Sequence, residues 1–217
     1  AQDVCLLFHR EHPIHVKDGI IVPQTALFRA SGPDGHLDGY VDEIQQSWSF
    51  RDCTAALATS EHSILVTEMM AQALSAFERV RLFHGVLQAI IEQTSPVAAV
   101  FKHSQQVVEP RTYLKRVDVE PIFRPGTLNV RFFNISNTEE DMLMDTRGLT
   151  EVGLHDLQCH FRGLDPNDVA SILFNTAVYI YENGAVIESD STVSGVAGAK
   201  WSCQFENALV SPERDVL

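Results

Sequence analysis

"LHDLQCHFRGLDPNDVASILFNTAVYIYENG", residues 154–184, decides the fold. Its first part alternates: Leu157, Cys159 and Phe161 fall to one side of an extended chain, and Asp156, Gln158, His160 and Arg162 to the other. That is a strand with one wet face. At Asp165 the period changes. Asp165 followed by Pro166 is a helix-start signal, because the carboxylate accepts from orphan N–H groups and proline fits the first helical position. Val169, Ile172, Leu173, Ala177, Ile180 and Tyr181 then recur at helical spacing as an apolar stripe, and Asn183-Gly184 ends the helix in a left-handed turn. A strand feeding a capped amphipathic helix is half of a layered α/β unit.

Working outward, "LNVRFFNI" (128–135) reads as a strand before this unit, and "AVIES" (185–189) and "KWSCQFE" (200–206) as closing strands after it. The final dozen residues read as a tail. The N-terminal half repeats the alternation of elements. "VCLLFHR" (4–10) is a buried strand, and "GIIVPQTALFRA" (19–30) a second one that Pro23 confines to an edge or a bulge. "WSFRDCTAALA" has Phe50, Cys53 and Leu57 at helical spacing, and "HSILVTEM" (62–69) is a strand with Ile64, Leu65 and Val66 buried. Ser75 and Glu78 form a capping box ahead of a helix over 76–94, with Phe77, Val80, His84, Leu87 and Ile91 on its stripe. "VAAVF" (97–101) is a strand. The expected class is α+β, a mixed β-sheet with helices packed mainly on one side, in two interlocked α/β halves. The halves are 1–103 and 128–217, joined by a proline-rich linker over 104–127.

A chain of 217 residues with 45% apolar and 21% charged residues buries a sizeable core unaided. No window reaches the roughly 18 apolar residues of a membrane helix, and residues 1–20 lack a basic start followed by an apolar stretch, so the expectation is a cytoplasmic protein. Cys5, Cys53, Cys159 and Cys203 lie far apart and read as buried, reduced thiols. The net charge of −13, with Lys and Arg numbering 16 and nowhere clustered, repels phosphate and argues against a nucleic-acid partner. It suits a basic protein partner, whose encounter a negative field accelerates.

Motifs for chemistry are sparse. His9, His12 and His15 are each three residues apart, but Pro13 breaks the helix that would gather them on a metal, so they read as solvated loop residues. In "SGVAGAK" (194–200) the glycines are mis-spaced for a phosphate loop and Trp201 stands where the hydroxyl belongs. The acidic run "NTEEDMLMD" (137–145), with Glu139, Glu140, Asp141 and Asp145, lacks the alternating ligands and central Gly of a calcium loop and reads as a solvated turn. No metal and no cofactor is implied. Asp156 and His160 share a strand face but stand about 13 Å apart at ~3.3 Å per residue, so a catalytic site there needs a third residue such as Asp145. The plainer reading gives Gly148, Gly153 and Gly163 to turns and leaves His160 solvated.

The stretch "DMLMDTRGLTEVGLHDLQCHFRGLDP" (141–166), the helix after it and "YENGAVIESDSTVSG" (181–195) resemble a family known as domain of unknown function 4261. The M-D-T-x-G-L and D-L-Q-x-H-F-x-G-L-D-P runs are the most specific parts of that likeness. "QQSWSF", "HSILVTEM" and "LNVRFFNI" look like further landmarks of it, and the turn at Glu188 to Asp190, where a Gly is expected, departs from it. The family supplies no catalytic residues. It is similar to families found beside bacterial toxin genes, some of them immunity proteins, and loosely to the α+β domains related to suppressor of fused. The resemblance therefore implies a non-enzymatic binding module that occludes the active site of a cognate toxin or effector. The partner-facing residues would be Asp34, Asp38 and Asp42 in the loop "RASGPDGHLDGYVDE" (29–43), with Glu139, Glu140, Asp141 and Asp145. The alternatives are a hydrolase or transferase using Asp145, Asp156 and His160, and an adaptor or chaperone of a secretion system.

Overall fold

A computed structural model describes residues 4–136, 138 and 140–217. The chain is α+β and divides into two units, residues 1–126 and 127–217. In the first, strand β1 (Val4–Phe8) is followed by a hairpin of β2 (Ile14–Val16) and β3 (Gly19–Ile21), then by β4 (Gln24–Ser31). Two short helices, α1 (Val41–Gln45) and α2 (Cys53–Ala58), lead to β5 (His62–Met69). The sheet has the order β1-β4-β5 and is antiparallel throughout, with Leu6 opposite Ala26 and Ala26 opposite Thr67. Pro23 divides the expected second strand into β3 and β4, and β4 is the central strand rather than an edge. Proline is tolerated because it stands just outside the ladder, where its carbonyl accepts from the His9 N–H at 2.9 Å. Ile64 and Leu65, expected inside, are exposed.

Helix α3 (Ala76–Thr94) starts on the expected capping box. The Glu78 N–H donates to Ser75 Oγ at 3.3 Å, and Glu78 Oε2 accepts from the Ser75 N–H at 3.1 Å. Val80, His84 and Ile91 are buried along its stripe, whereas Phe77 is exposed. Residues 104–127, read from their prolines as linker, carry core: β6 (Ala99–Phe101), just before them, pairs with β7 (Gln106–Val108), and α4 (Pro110–Leu114) packs on α3. Phe101, Val108 and Tyr113 close on Ile91, and Val107 on Cys53 and Leu57. Proline here starts α4 and the short 3₁₀ turn Pro121–Phe123 instead of keeping the chain extended.

The second unit is built on β8 (Asn129–Asn134), β9 (Asp141–Arg147) and β10 (Gln158–Arg162), in the order β10-β9-β8. Its central strand is part of the run read as an acidic turn. Helix α5 (Pro166–Asn183) has Asp165 at its cap, accepting from the Asn167 N–H at 2.8 Å, and packs on all three strands. "AVIES" forms no strand. Instead β11 (Thr192–Ser194) pairs with β12 (Lys200–Ser202), and β13 (Glu206–Asn207) with β14 (Asp215–Val216). The expected tail is thus structural: Val216 and Leu217 are buried. The Gln158 N–H donates to the Leu217 carbonyl at 2.9 Å, and Asp156 bridges Val216 in parallel against the otherwise antiparallel ladders. Cys53 is buried, but Cys5 is exposed and Cys159 and Cys203 are half-buried.

Candidate functional site

The acids singled out from sequence fall into two environments, one in each unit. In the second unit β9 alternates: Asp141, Leu143, Asp145 and Arg147 share one face with Arg131 of β8 and with Gln158, His160 and Arg162 of β10, while Met142, Met144 and Thr146 share the other with Phe132 and Phe161. Arg131, Asp145 and Gln158 lie directly opposite one another across the three strands. Asp145 is fully buried. Its Oδ1 accepts from Arg131 Nε at 2.8 Å, and its Oδ2 accepts from Arg131 Nη2 and from Arg214 Nη2, the latter at 2.6 Å. Arg214 arrives from the C-terminal segment, where Arg131 Nη1 also donates to the Ser211 carbonyl at 2.8 Å.

Asp156, also fully buried, precedes β10 and turns back beneath the 150–152 turn. It accepts from the Leu149 N–H at 3.2 Å, the Thr150 hydroxyl at 2.7 Å and the Thr146 hydroxyl at 3.2 Å. Arg214 Nε lies 3.5 Å and Arg147 Nη1 3.7 Å from its Oδ2. Burial drags Arg147 below its ordinary pKa, partly offset by Glu151, 3.2 Å away, and by Asp156. Gly148 lets the chain turn into this site: its φ is +131°, and a Cβ there would lie 2.2 Å from the Thr127 carbonyl oxygen.

Asp145 and Asp156 do come together as sequence spacing allowed, joined through Arg214, but as members of a buried ion cluster. Each carboxylate is committed to guanidinium, hydroxyl and N–H partners. His160 is not with them. It is exposed on β10 opposite Leu143, near Asp141, whose carboxyl is held below its usual pKa first by hydrogen bonding to Arg162. Arg162 grips Asp141 in a two-pronged contact at 2.5 and 2.6 Å. Of the partner-facing acids, Asp145 is therefore enclosed and Asp141 is already paired, while Glu140 is exposed. Glu139 lies outside the described residues.

In the first unit Asp34, Asp38 and Asp42 are all exposed, on the loop, the 3₁₀ turn Asp38–Tyr40 and the start of α1. This segment is braced from β6's end by Lys102, whose Nζ donates to the Gly39 carbonyl at 2.5 Å, pairs with buried Glu43 at 3.0 Å and lies 4.4 Å from the centre of the Tyr40 ring. Lys102 thus neutralises the inward acid of the segment and leaves the outward three uncompensated. Ser47 fastens the far end by donating to the Glu43 carbonyl and accepting from the Val107 N–H at 2.6 Å. Trp48, just beyond, is 64% exposed. Lys102, Trp48 and Arg214 were not singled out from sequence, and the only signals for them were a lone lysine after a strand, an unpatterned tryptophan and an arginine in an apparent tail.

Of the histidines, His9 Nε2 lies 2.9 Å from Thr25 Oγ1, His12 lies 4.0 Å from Glu78 and His15 is exposed on β2. Among the described residues no three His, Cys, Asp or Glu side chains converge as a metal site, and no helix is long and apolar enough to cross a membrane.

The geometry defines an α+β protein with an exposed, braced acidic segment in one unit and a buried ion cluster in the other. Residues 145–217, within the second unit, match the family model described as Domain of unknown function (DUF4261). The match spans Asp145, Arg147, Asp156 and Arg214, leaving only Arg131 of the cluster outside. No curated protein and no solved structure matches the chain.

Proposed function

We propose that the protein is a non-enzymatic binding module, an immunity protein that neutralises a bacterial toxin or effector by covering its active site. The observation that carries this reading is the outward display of Asp34, Asp38 and Asp42 on a segment fixed by Lys102. Carboxylates held on a braced support lose little freedom on binding and steer a basic partner from a distance. Trp48, large and exposed a few residues after α1 in the chain, is the residue type that anchors interfaces. The hydrolase or transferase alternative has less to support it, since Asp145 is bound by two arginines and Asp156 by the Thr146 and Thr150 hydroxyls and the Leu149 N–H.

The test is titration against the product of the neighbouring gene at low and high salt, together with rescue of cells poisoned by it. A complex that weakens with salt, rescue in vivo, and about a tenfold lower association rate for D34N/D38N/D42N are expected. An adaptor would bind without rescuing. A complex and rescue indifferent to the triple variant would remove the acidic segment from the account.

A further inference from the structure

The β1-β4-β5 sheet carries a feature independent of that reading. Residues opposite one another share a face, and one face collects Val4, Leu6 and Phe8, then Gln24, Ala26, Phe28 and Ala30, then Ser63, Leu65, Thr67 and Met69. None is charged, in a chain of net charge −13. Around the buried Ala26 the margins of this face are open: Val4 is 46%, Leu6 43%, Phe8 51%, Leu65 55% and Met69 38% exposed.

The two edges of this sheet differ. The β5 edge carries His62 and Glu68, and Glu68 is tied at 2.7 Å to Arg79 of α3. The β1 edge, Val-Cys-Leu-Leu-Phe, has no charge, proline or bulge, the devices by which sheets normally refuse a further strand. Which backbone groups point outward follows from one bond. The His9 N–H donates to the Pro23 carbonyl, so by alternation Leu7 and Cys5 face β4 while the N–H and C=O groups of Val4, Leu6 and Phe8 face the open side.

We propose that this edge pairs with the same edge of a second copy of the chain, antiparallel about a two-fold axis at Leu6. That register sets Leu6 opposite Leu6 of the other copy and Val4 opposite Phe8, each a hydrogen-bonding pair with its groups already directed outward. Cys5 falls opposite Leu7. Every cross-strand pair is apolar, and both charge-free faces join into one six-stranded surface. A second copy suits the site for an electrostatic reason as well. Two chains of the same strong negative charge repel over most approaches, and this face brings no like charges together. With only five edge residues paired per copy, the contact is smaller than the roughly 1,000 Å² that a stable specific interface buries. The dimer is therefore a weak one, with a dissociation constant in the micromolar range.

Sedimentation velocity from 1 to 200 μM is the experiment. The wild-type protein is expected to move from monomer to dimer across that range, and Leu6→Lys, which places two ammonium groups at the axis, to stay monomeric with an unchanged circular dichroism spectrum. Should Leu6→Lys misfold, Leu6→Cys in a Cys5→Ser background provides the second arm. Paired residues about 5.5 Å apart at Cα lie within disulfide reach, so mild oxidation should give a dimer linked through residue 6. A wild-type protein still monomeric at 200 μM, a dimer that survives Leu6→Lys, or cross-linking through other residues would each overturn the proposal, the first leaving the edge to a different chain.

Discussion

The sheets of the two units solve opposite problems. The β8-β9-β10 sheet has a charged face that is covered around Asp145: Arg214 neutralises that carboxylate, and Leu209 and Glu206 bind Gln158, while His160 and Arg162 at its far end stay exposed. The β1-β4-β5 sheet has an uncharged face that is open at its margins. Burying charge is costly unless the ions are paired and hydrogen-bonded, so the second unit is specified by a small number of directional contacts. The uncharged face of the first sheet offers no ion pair to do the same. The same contrast separates the acids. Asp145 and Asp42 look alike in sequence, yet one is enclosed by two arginines and the other faces water. What an acid does is set by what folds over it.

The sharpest way to break this comparison is Asp145→Asn. Removing one charge from a buried cluster strands its partners, here Arg131 and Arg214, and is expected to destabilise the second unit by about 3 to 5 kcal/mol in urea denaturation. A loss under about 1 kcal/mol would mean that the cluster is no more than a surface-type pair.

Acid should act on the first unit through a different group. Burial, with smaller contributions from the charges of His103 and Arg124, lowers His84 to a pKa of about 3, and its Nδ1 lies 2.8 Å from Tyr113 Oη. The folded-state value is below the unfolded one of about 6.5, so the unfolded chain takes up the proton first. The stability His84 contributes is complete above pH 6.5 and is lost as pH falls from there toward 3. Between pH 7 and 4.5 the loss is about 2 to 3 kcal/mol, and His84→Phe should abolish that part of the pH dependence when urea midpoints are compared. An unchanged slope would show that His84 titrates normally.

Gly148→Ala comes next, at about 2 kcal/mol or more, because the added methyl meets the Thr127 carbonyl and the backbone sits at a positive φ. The same substitution at Gly153, where φ is +83° and no atom lies within 4 Å of the added Cβ, should cost less by the steric part alone. Smallest is Asp190→Gly. Asp190 takes a left-handed φ of +69° in the turn that departs from the family pattern, and glycine there should raise the melting temperature slightly, by under about 1 kcal/mol in stability.

The helices were legible in the sequence because their signals are local: the Ser75/Glu78 box, the Asp165-Pro166 start and the Asn183-Gly184 stop each act within a turn. Strand β9 was not, although its period of two was present. Asp141 and Asp145 are residues that strands disfavour, and their cost is met by Arg162 for the first and by Arg131 and Arg214 for the second, of which the last is 69 residues from Asp145. The tail reading failed for the same reason. The exposed loop acids Asp34, Asp38 and Asp42 were legible from Gly and Pro around them, but the brace was not, since Lys102 is 63 residues from Gly39. Proline misled over 104–127, where it begins helical turns inside a core.

One measurement tests the division of labour most directly: urea unfolding of D34N/D38N/D42N beside Asp145→Asn. The triple variant, which lightens a surface charge without losing a buried partner, should unfold at or above the wild-type midpoint while the single variant unfolds far below it. Equal losses in the two, or a larger loss in the triple variant, would contradict the account.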